Sequence, residues 1–402
     1  MSNPQNNINE IVEPIKEALH LASLSMTGES KKVETTNPLI RVVGGSSKDF
    51  WGASVKGVPL RTSGLQGILN YEPSELYITA LSGTPLKEVE AALDERGQCL
   101  AFEPPNFNSF STIGGMVASG LSGPARAAAG GARDFVLGLK MINGRAQELV
   151  FGGQVIKNVA GYDVSRLLCG SWGTLGVITE VSLKVLPKAL CELTFSVEVG
   201  QAKAIQLLSN WGQSSLPISA SIWSQVNASK PQFGNLFIRL KGAKAAVQTG
   251  YQWINKQCAQ EKIPVVELDL FESKTLWNSY KNQTADFFLS PPNENDCLWR
   301  VSVPPVTPEI KIEAQGTLSP QTWEWNAAQR WLWAPIDLSN DIHTAASRAG
   351  GHANLWRVSQ RGGIADKEAG VFPSLPGVQQ RIQMALQKQF DPSGIFNTRR
   401  NQ

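Results

Sequence analysis

The chain has 402 residues, 42% of them apolar and 18% charged, with 37 basic against 34 acidic side chains and a net charge of +3. That describes a folded protein of two or three domains and excludes a disordered chain or a nucleic-acid binder relying on a strong basic field. No stretch nears the about 20 consecutive apolar residues that a bilayer span requires, and Glu10, Glu13 and Glu17 interrupt the apolar positions at the start, so neither a membrane span nor a signal peptide is expected.

In chain order, Ile8, Ile11, Val12, Ile15 and Leu19 have helical spacing, and a polar linker follows to Asn37. Leu39 to Val43 reads as a strand ending in Gly44 and Gly45, and Leu76 to Leu81 as another. Thr84 is expected to cap a helix that starts at Pro85, buries Leu86, Val89 and Leu93, and stops at Gly97. Between Ser111 and Gly176 lie 14 of the 36 glycines, where even spreading would give about 6. The alternation of Val177, Thr179, Val181, Leu183 and Val185 with Glu180, Ser182 and Lys184 predicts a strand with one covered face. Ten of the twelve tryptophans follow residue 200, which predicts a second domain with an aromatic core and a boundary near Pro187. Strands such as 236–242 and 297–303 mixed with helices predict an antiparallel sheet with helices on one side.

The chain has no GxGxxG, GxxxxGK[ST] or GxSxG motif, so the usual dinucleotide fold, phosphate loop and serine-hydrolase elbow lose their main support. Cys99, Cys169, Cys191, Cys258 and Cys297 are isolated, and His20, His343 and His352 are scattered, so neither a CxxC cluster nor a multi-His metal centre is written here. Three glycine-rich turns remain. Gly44 to Lys48 (GGSSK) reads as a structural turn or as a diphosphate loop with exposed N–H groups and two hydroxyls. Ser111 to Gly123 (STIGGMVASGLSG) reads as close backbone packing or as a surface that a large planar ligand or its phosphates can approach. Gly170 to Glu180 (GSWGTLGVITE) reads as a helix stop and glycine turn before a strand, or as part of the same site.

The three turns, in this order and at these separations, resemble the FAD-binding domain of the vanillyl-alcohol-oxidase (PCMH) type. Within it the chain resembles the FAD-domain E subunits of three-subunit glycolate oxidases, through GGSSKDFWG (44–52), ILNYEPSEL (68–76), TALSGTPL (79–86), EPPNF (103–107), GGMVASGLSGPAR (114–126), RDFVLG (133–138), FGGQVIKNVAGYDVSRLLCG (151–170) and AGGHA (349–353). The match is dense from about Val42 to Pro187 and returns at AGGHA and at Phe390 to Arg400. The resemblance implies an α+β chain in four parts: an N-terminal helix and linker (1–37), the FAD-binding domain (38–188), a mostly antiparallel α+β cap (189–335) and a C-terminal segment (336–402) returning to the first domain.

It further implies FAD, and the absence of His or Cys in Gly44 to Lys48 and in Ser122 to Arg126, where a covalent flavin link could form, points to non-covalent binding. Gly44, Gly45, Ser46, Ser47 and Lys48 would form the first diphosphate loop, and Thr112, Gly114, Gly115, Ala118, Ser119, Ser122 and Gly123 the second. Gly173, Gly176, Val177 and Ile178 would line the ring and ribose region. Related proteins often end in Phe-Asn-Pro-Gly-Arg, whereas this chain has Phe396, Asn397, Thr398, Arg399 and Arg400, which removes the ground for placing Arg399 or Arg400 beside the flavin.

Flavin oxidation of a 2-hydroxy acid needs a cation for the carboxylate and a base or metal for the hydroxyl proton. The sequence is poor in such groups. His352 facing the flavin, with Arg348 or Arg357 as carboxylate partner, is one arrangement, and a turn histidine satisfied by backbone is the other. The implied function is an FAD-holding subunit of a glycolate-oxidising complex, glycolate going to glyoxylate, with a D-type flavoprotein and an iron–sulfur subunit as partners. A self-sufficient glycolate or D-lactate dehydrogenase and a flavin-free interaction subunit are the alternatives. The expected location is cytoplasmic, with any membrane association made through partners.

Overall fold

The computed structural model describes residues 4–26, 39–153, 163–225, 233–310, 312 and 320–396. The linker expected before Asn37, the middle of the 151–170 motif, and Arg399 with Arg400 lie outside the described residues. The fold is α+β, built on two large antiparallel sheets.

A five-stranded antiparallel sheet forms the first unit, in spatial order Ile68–Glu72, Tyr77–Leu81, Val177–Lys184, Val136–Ile142 and Glu148–Gly152. Its core joins Ile78, Met141, Ile178 and Val181 to Leu86, Val89 and Leu93 of the helix Leu86–Asp94. The expected Thr84 cap does not form. The Thr84 hydroxyl donates to Leu81 O at 2.7 Å and accepts from Gly67 N at 2.9 Å, tying a turn to the preceding strand. The strand Val177–Lys184 also departs from the one-faced expectation. It is central in the sheet, so its polar positions are covered too. The hydroxyls of Ser182 and Thr79 pair at 2.8 Å, as buried polar groups require, and the partly exposed Glu180 pairs with Lys140 at 2.9 Å.

The second unit is an eight-stranded antiparallel sheet. Its spatial order is Val265–Glu267, Cys191–Gly200, Phe233–Gly242, Ile218–Gln225, Gln321–Glu324, Gln329–Pro335, Asp296–Ser302 and His352–Arg357. Helices Gln201–Gly212 and Lys244–Gln260 add Leu207, Trp211, Val247 and Ile254 to one of its cores. The other core is the aromatic one expected from composition, with Trp299, Trp331, Trp333 and Trp356. Trp51 crosses from the first unit into it, with its ring 4.4 Å from Trp356 and 5.0 Å from Trp172. Burying an indole there ties the two units together by apolar contact.

Beyond residue 335 the chain divides. Helix Ser339–Arg348 and the strand His352–Arg357 belong with the eight-stranded sheet, whereas helix Gly377–Phe390 ends in the first core at Phe390. The Asp391 carboxylate accepts from the N–H groups of Ile395 at 3.1 Å and Phe396 at 2.9 Å. That turn lets Ile40 N donate to Ile395 O, and Phe396 pairs in parallel with Ile40. The N-terminal helix Pro4–Met26 covers this junction with Ile11 and Ile15, packed among Leu60, Leu65 and Phe396.

Candidate functional site

The three glycine-rich turns meet in one cleft. It holds about 680 Å³ of space, partly open to solvent, between Gly44–Asp49, Thr112–Ser119 and the Trp172–Ile178 turn. Strand Ile40–Val43 delivers the first turn, in which Ser46 adopts a left-handed φ of 52°. The second is the start of helix Ile113–Ser119, where the Thr112 hydroxyl accepts from Gly115 N at 3.2 Å. The third docks on that helix's far end, with Gly170 N donating to Val117 O and Trp172 N to Ala118 O.

The glycines serve two purposes. A Cβ on Gly45 would overlap the Phe110 carbonyl, and one on Gly114 would lie 2.6 Å from Ser82 Cβ. These positions are glycine because the backbone packs on itself. Gly173 and Gly176 have φ of +74° and +144°, which L side chains rarely adopt. At Gly115 a Cβ would meet only the Thr112 hydroxyl, at 3.1 Å. Gly115 therefore keeps open the space of the cleft.

Of the residues named from the sequence, Gly44, Gly45, Ser46, Ser47, Lys48, Thr112, Gly114, Gly115, Ala118, Ser119, Gly173, Gly176 and Ile178 line this cleft. Val177 is fully buried in the core beside it. Ser122 and Gly123 line a second cavity, between the two units. His352 lines neither; it is exposed at the start of an edge strand, opposite Ser302. Arg348 is exposed on the last turn of its helix. Arg357 donates to Phe288 O at 3.0 Å and to Gln283 Oε1 at 3.2 Å.

The cleft's chemistry suits an anionic, nucleotide-sized group. Lys48 is buried, and desolvation pulls its ammonium down to about 8. It donates to the hydroxyls of Ser47 at 3.1 Å and Ser111 at 3.0 Å, and a bound anion would favour its charged form. The fully buried Ser82 hydroxyl lines the cleft with no hydrogen-bond partner among the described residues, an orphan of the kind that a ligand oxygen satisfies. Asp49, exposed at the rim, is the only carboxylate among the lining residues. Neither His nor Cys is among them.

Residues 31–152 match the family model described as FAD binding domain. The glycolate oxidase subunit GlcE of Escherichia coli K12 is 38% identical over 369 residues, covering 92% of this chain and 93% of that protein. The chain belongs to the GlcE family of glycolate oxidase subunits. The glycolate oxidase subunit GlcD of Bacillus subtilis is 34% identical over 134 residues, 33% of this chain and 28% of its own, and a D-lactate dehydrogenase of Anaerostipes hadrus is 33% identical over 131 residues, 33% and 27% respectively. Among solved structures, alkyldihydroxyacetonephosphate synthase superposes with a TM-score of 0.63 at 16% identity, over 90% of this chain and 71% of that one, which speaks for the fold. The GlcE-family chain thus carries an FAD-binding domain of an oxidoreductase family, and none of its described helices is long and apolar enough to cross a membrane.

Sequence reading missed the second cavity. Its walls are Tyr280, Lys281, Gln283, Arg300, Glu324, Trp325, Trp331 and Trp356 from one unit and Pro105, Phe107 and Leu121 to Gly123 from the other. Burial raises the Glu324 carboxyl to about 7, against the pull of the Trp331 N–H and the Arg300 charge. The only sequence signal was a charged residue inside each of two tryptophan-rich strands, Arg300 and Glu324, which a core strand does not carry without a reason.

Proposed function

We propose that the chain is the FAD-holding subunit of a complex that oxidises glycolate to glyoxylate and passes the electrons to an iron–sulfur partner beside a D-type flavoprotein subunit. The single observation that carries the reading is the cleft: three turns far apart in sequence converge on one space, where Gly115 leaves room for a ligand beside a buried ammonium and an unsatisfied Ser82 hydroxyl. In this reading Gly44 to Lys48 and Thr112 to Ser119 hold the diphosphate, Gly173, Gly176 and Ile178 line the nucleotide, and Val177 backs them from the core. Ser122 and Gly123 lead from the diphosphate toward the interdomain cavity. Bound FAD would supply the two-electron acceptor; the protein supplies the anion cradle and the dry, shaped wall.

The proposed domains are 38–188 for the cofactor, 189–335 for the cap and 336–402 for the returning segment, which first adds strand His352–Arg357 to the cap sheet. The cofactor is held without a covalent bond, since a His or Cys link has no counterpart among the lining residues. Similarity to glycolate oxidase subunits supports the partners in this reading, and a cytoplasmic location is part of the same proposal.

The test is the visible absorption spectrum of the purified chain, followed by acid precipitation. A flavin spectrum, with all the yellow colour left in the supernatant, is expected. A colourless protein that stays colourless on incubation with FAD removes the reading, and colour in the pellet removes the non-covalent part.

A further inference from the structure

The interdomain cavity has a composition that core packing alone does not call for. Arg300 lies on the strand Asp296–Ser302, with its guanidinium carbon 5.3 to 5.8 Å from the ring centroids of Trp51, Trp325, Trp331 and Trp356. Four indoles fix the position of the cation and keep water from its faces. Its Nε donates to Gln329 Oε1 at 2.9 Å. The two terminal nitrogens make no hydrogen bond to any described residue. That is the half of the guanidinium fork that grips a carboxylate through two parallel bonds.

Glu324, on the next strand but one, is the acid whose charge acts on Arg300, yet it forms no ion pair with Arg300 among the described residues. One of its oxygens is held by Trp331 Nε1 at 2.7 Å. The cavity thus presents a positioned cation and a separate buried carboxyl, with Tyr280 and Gln283 in the wall. The space between them suits a few heavy atoms rather than a ring system. The seam beside it is held by contacts between the two units. Trp325 Nε1 donates to Gly123 O at 2.9 Å, Arg126 stacks on Trp325 at 4.7 Å, and Arg239 pairs with Glu103 at 2.8 Å.

We propose that this cavity is a binding site for a small hydroxycarboxylate of two or three carbons, with Arg300 gripping the carboxylate and Glu324 accepting a hydrogen bond from the hydroxyl. The proposal deepens the function given above and rests on it for the choice of ligand class. It assigns to this chain a substrate-class site that neither His352 nor Arg348 provides. When ionised, Glu324 accepts the hydroxyl proton in a hydrogen bond; when protonated, it donates to the same oxygen instead. The groups facing it are Arg300, Tyr280 and the Trp331 N–H from its own unit and Glu103 from the first unit, while Arg126 bears on Arg300.

The test is titration of the purified full-length chain with glycolate and with acetate, followed by tryptophan fluorescence, which the four indoles around Arg300 make sensitive to occupancy. Saturable quenching by glycolate is expected, with acetate at least 10-fold weaker. Arg300→Gln should weaken glycolate binding 10-fold or more, and Arg300→Lys should retain part of it. Glu324→Gln should remove most of the preference for glycolate over acetate. FAD content, measured on the same samples, should be unchanged in all three variants.

No saturable binding to the folded wild-type chain, or equal binding by Arg300→Gln, overturns the proposal. Loss of FAD from Arg300→Lys as well as from Arg300→Gln also overturns it, because Arg300 would then serve the cofactor. A wild-type chain that binds glycolate but no FAD would retain this site while removing the cofactor reading above.

Discussion

In the cleft of the first unit the main chain itself is the wall, whereas in the cavity between the units the walls are indole rings around one guanidinium. The cleft gains access by deleting side chains, and its polar groups are peptide, hydroxyl, one ammonium and, at the rim, the Asp49 carboxylate. Such a surface suits a long anionic group that needs many weak donors and no chemistry from the protein. The cavity does the reverse. Bulky aromatics desolvate a cation and an acid, which makes each interaction there stronger and each unpaired charge costlier. The comparison separates a holding site from a discriminating one.

The largest effect should come from breaking the cleft's own packing. Gly45→Ala places a methyl group on the immobile Phe110 carbonyl, and we expect destabilisation of about 3 kcal/mol or more in urea unfolding, with or without flavin. Gly115→Val should do the opposite. A Cβ there meets only the Thr112 hydroxyl and its methyl groups extend toward the cleft, so stability without flavin should change by no more than about 1 kcal/mol, the worth of that cap, while FAD content falls to near zero. If both variants lose stability alike, or if Gly115→Val keeps its flavin, the division of glycines into packing and access positions fails.

That division was only half legible in the sequence. The clustering of glycines located the cleft, and thirteen of the residues named for the cofactor line it. A glycine required by the Phe110 carbonyl nevertheless looks the same in sequence as one that faces a ligand. Strand Val177–Lys184 shows the same limit. Its alternation signalled a strand, but its central place depends on two partner strands distant in sequence, so the burial of Thr179 and Ser182 was not local information. Thr84 looked like a cap because of its position before Pro85, but its hydroxyl found Gly67 and Leu81 instead. Arg300 and Glu324 escaped notice because they are brought together by strand order, across Gln329–Pro335, and no short motif joins them.

A middle-sized effect belongs to the cavity. The Glu324 carboxyl stands at about 7 in the folded chain, above its ordinary value near 4.5. Its raised folded value means that stability is fully present below pH 4.5 and is lost as the pH climbs through 7, because the folded state resists the charge that the unfolded state accepts. Wild type should therefore lose on the order of 2 kcal/mol more than Glu324→Gln between pH 5 and pH 8. Asp391, raised to about 6 by burial, contributes in the same direction in both proteins and cancels in the difference. Parallel stability curves for the two would mean that Glu324 is not a desolvated acid, and the contrast with the cleft would lose one of its two charges.

The smallest effect is the sharpest test of where chemistry sits. His352 was the one histidine in the C-terminal motif that could have faced a flavin, yet it is exposed on an edge strand and lines neither the cleft nor the cavity. Its partial burial and the nearby Arg300 charge both pull its imidazolium below the ordinary range, which makes it a weaker cation for a carboxylate. Removing a true general base commonly costs about 10²-fold or more. In the assembled complex we therefore expect His352→Ala to keep glycolate turnover within about 2-fold of wild type, with an unchanged pH profile, since the variant removes neither the Arg300 fork nor the Glu324 acid. A drop of 100-fold with FAD content intact would move the acid–base role to the edge strand and leave the aromatic cavity as packing.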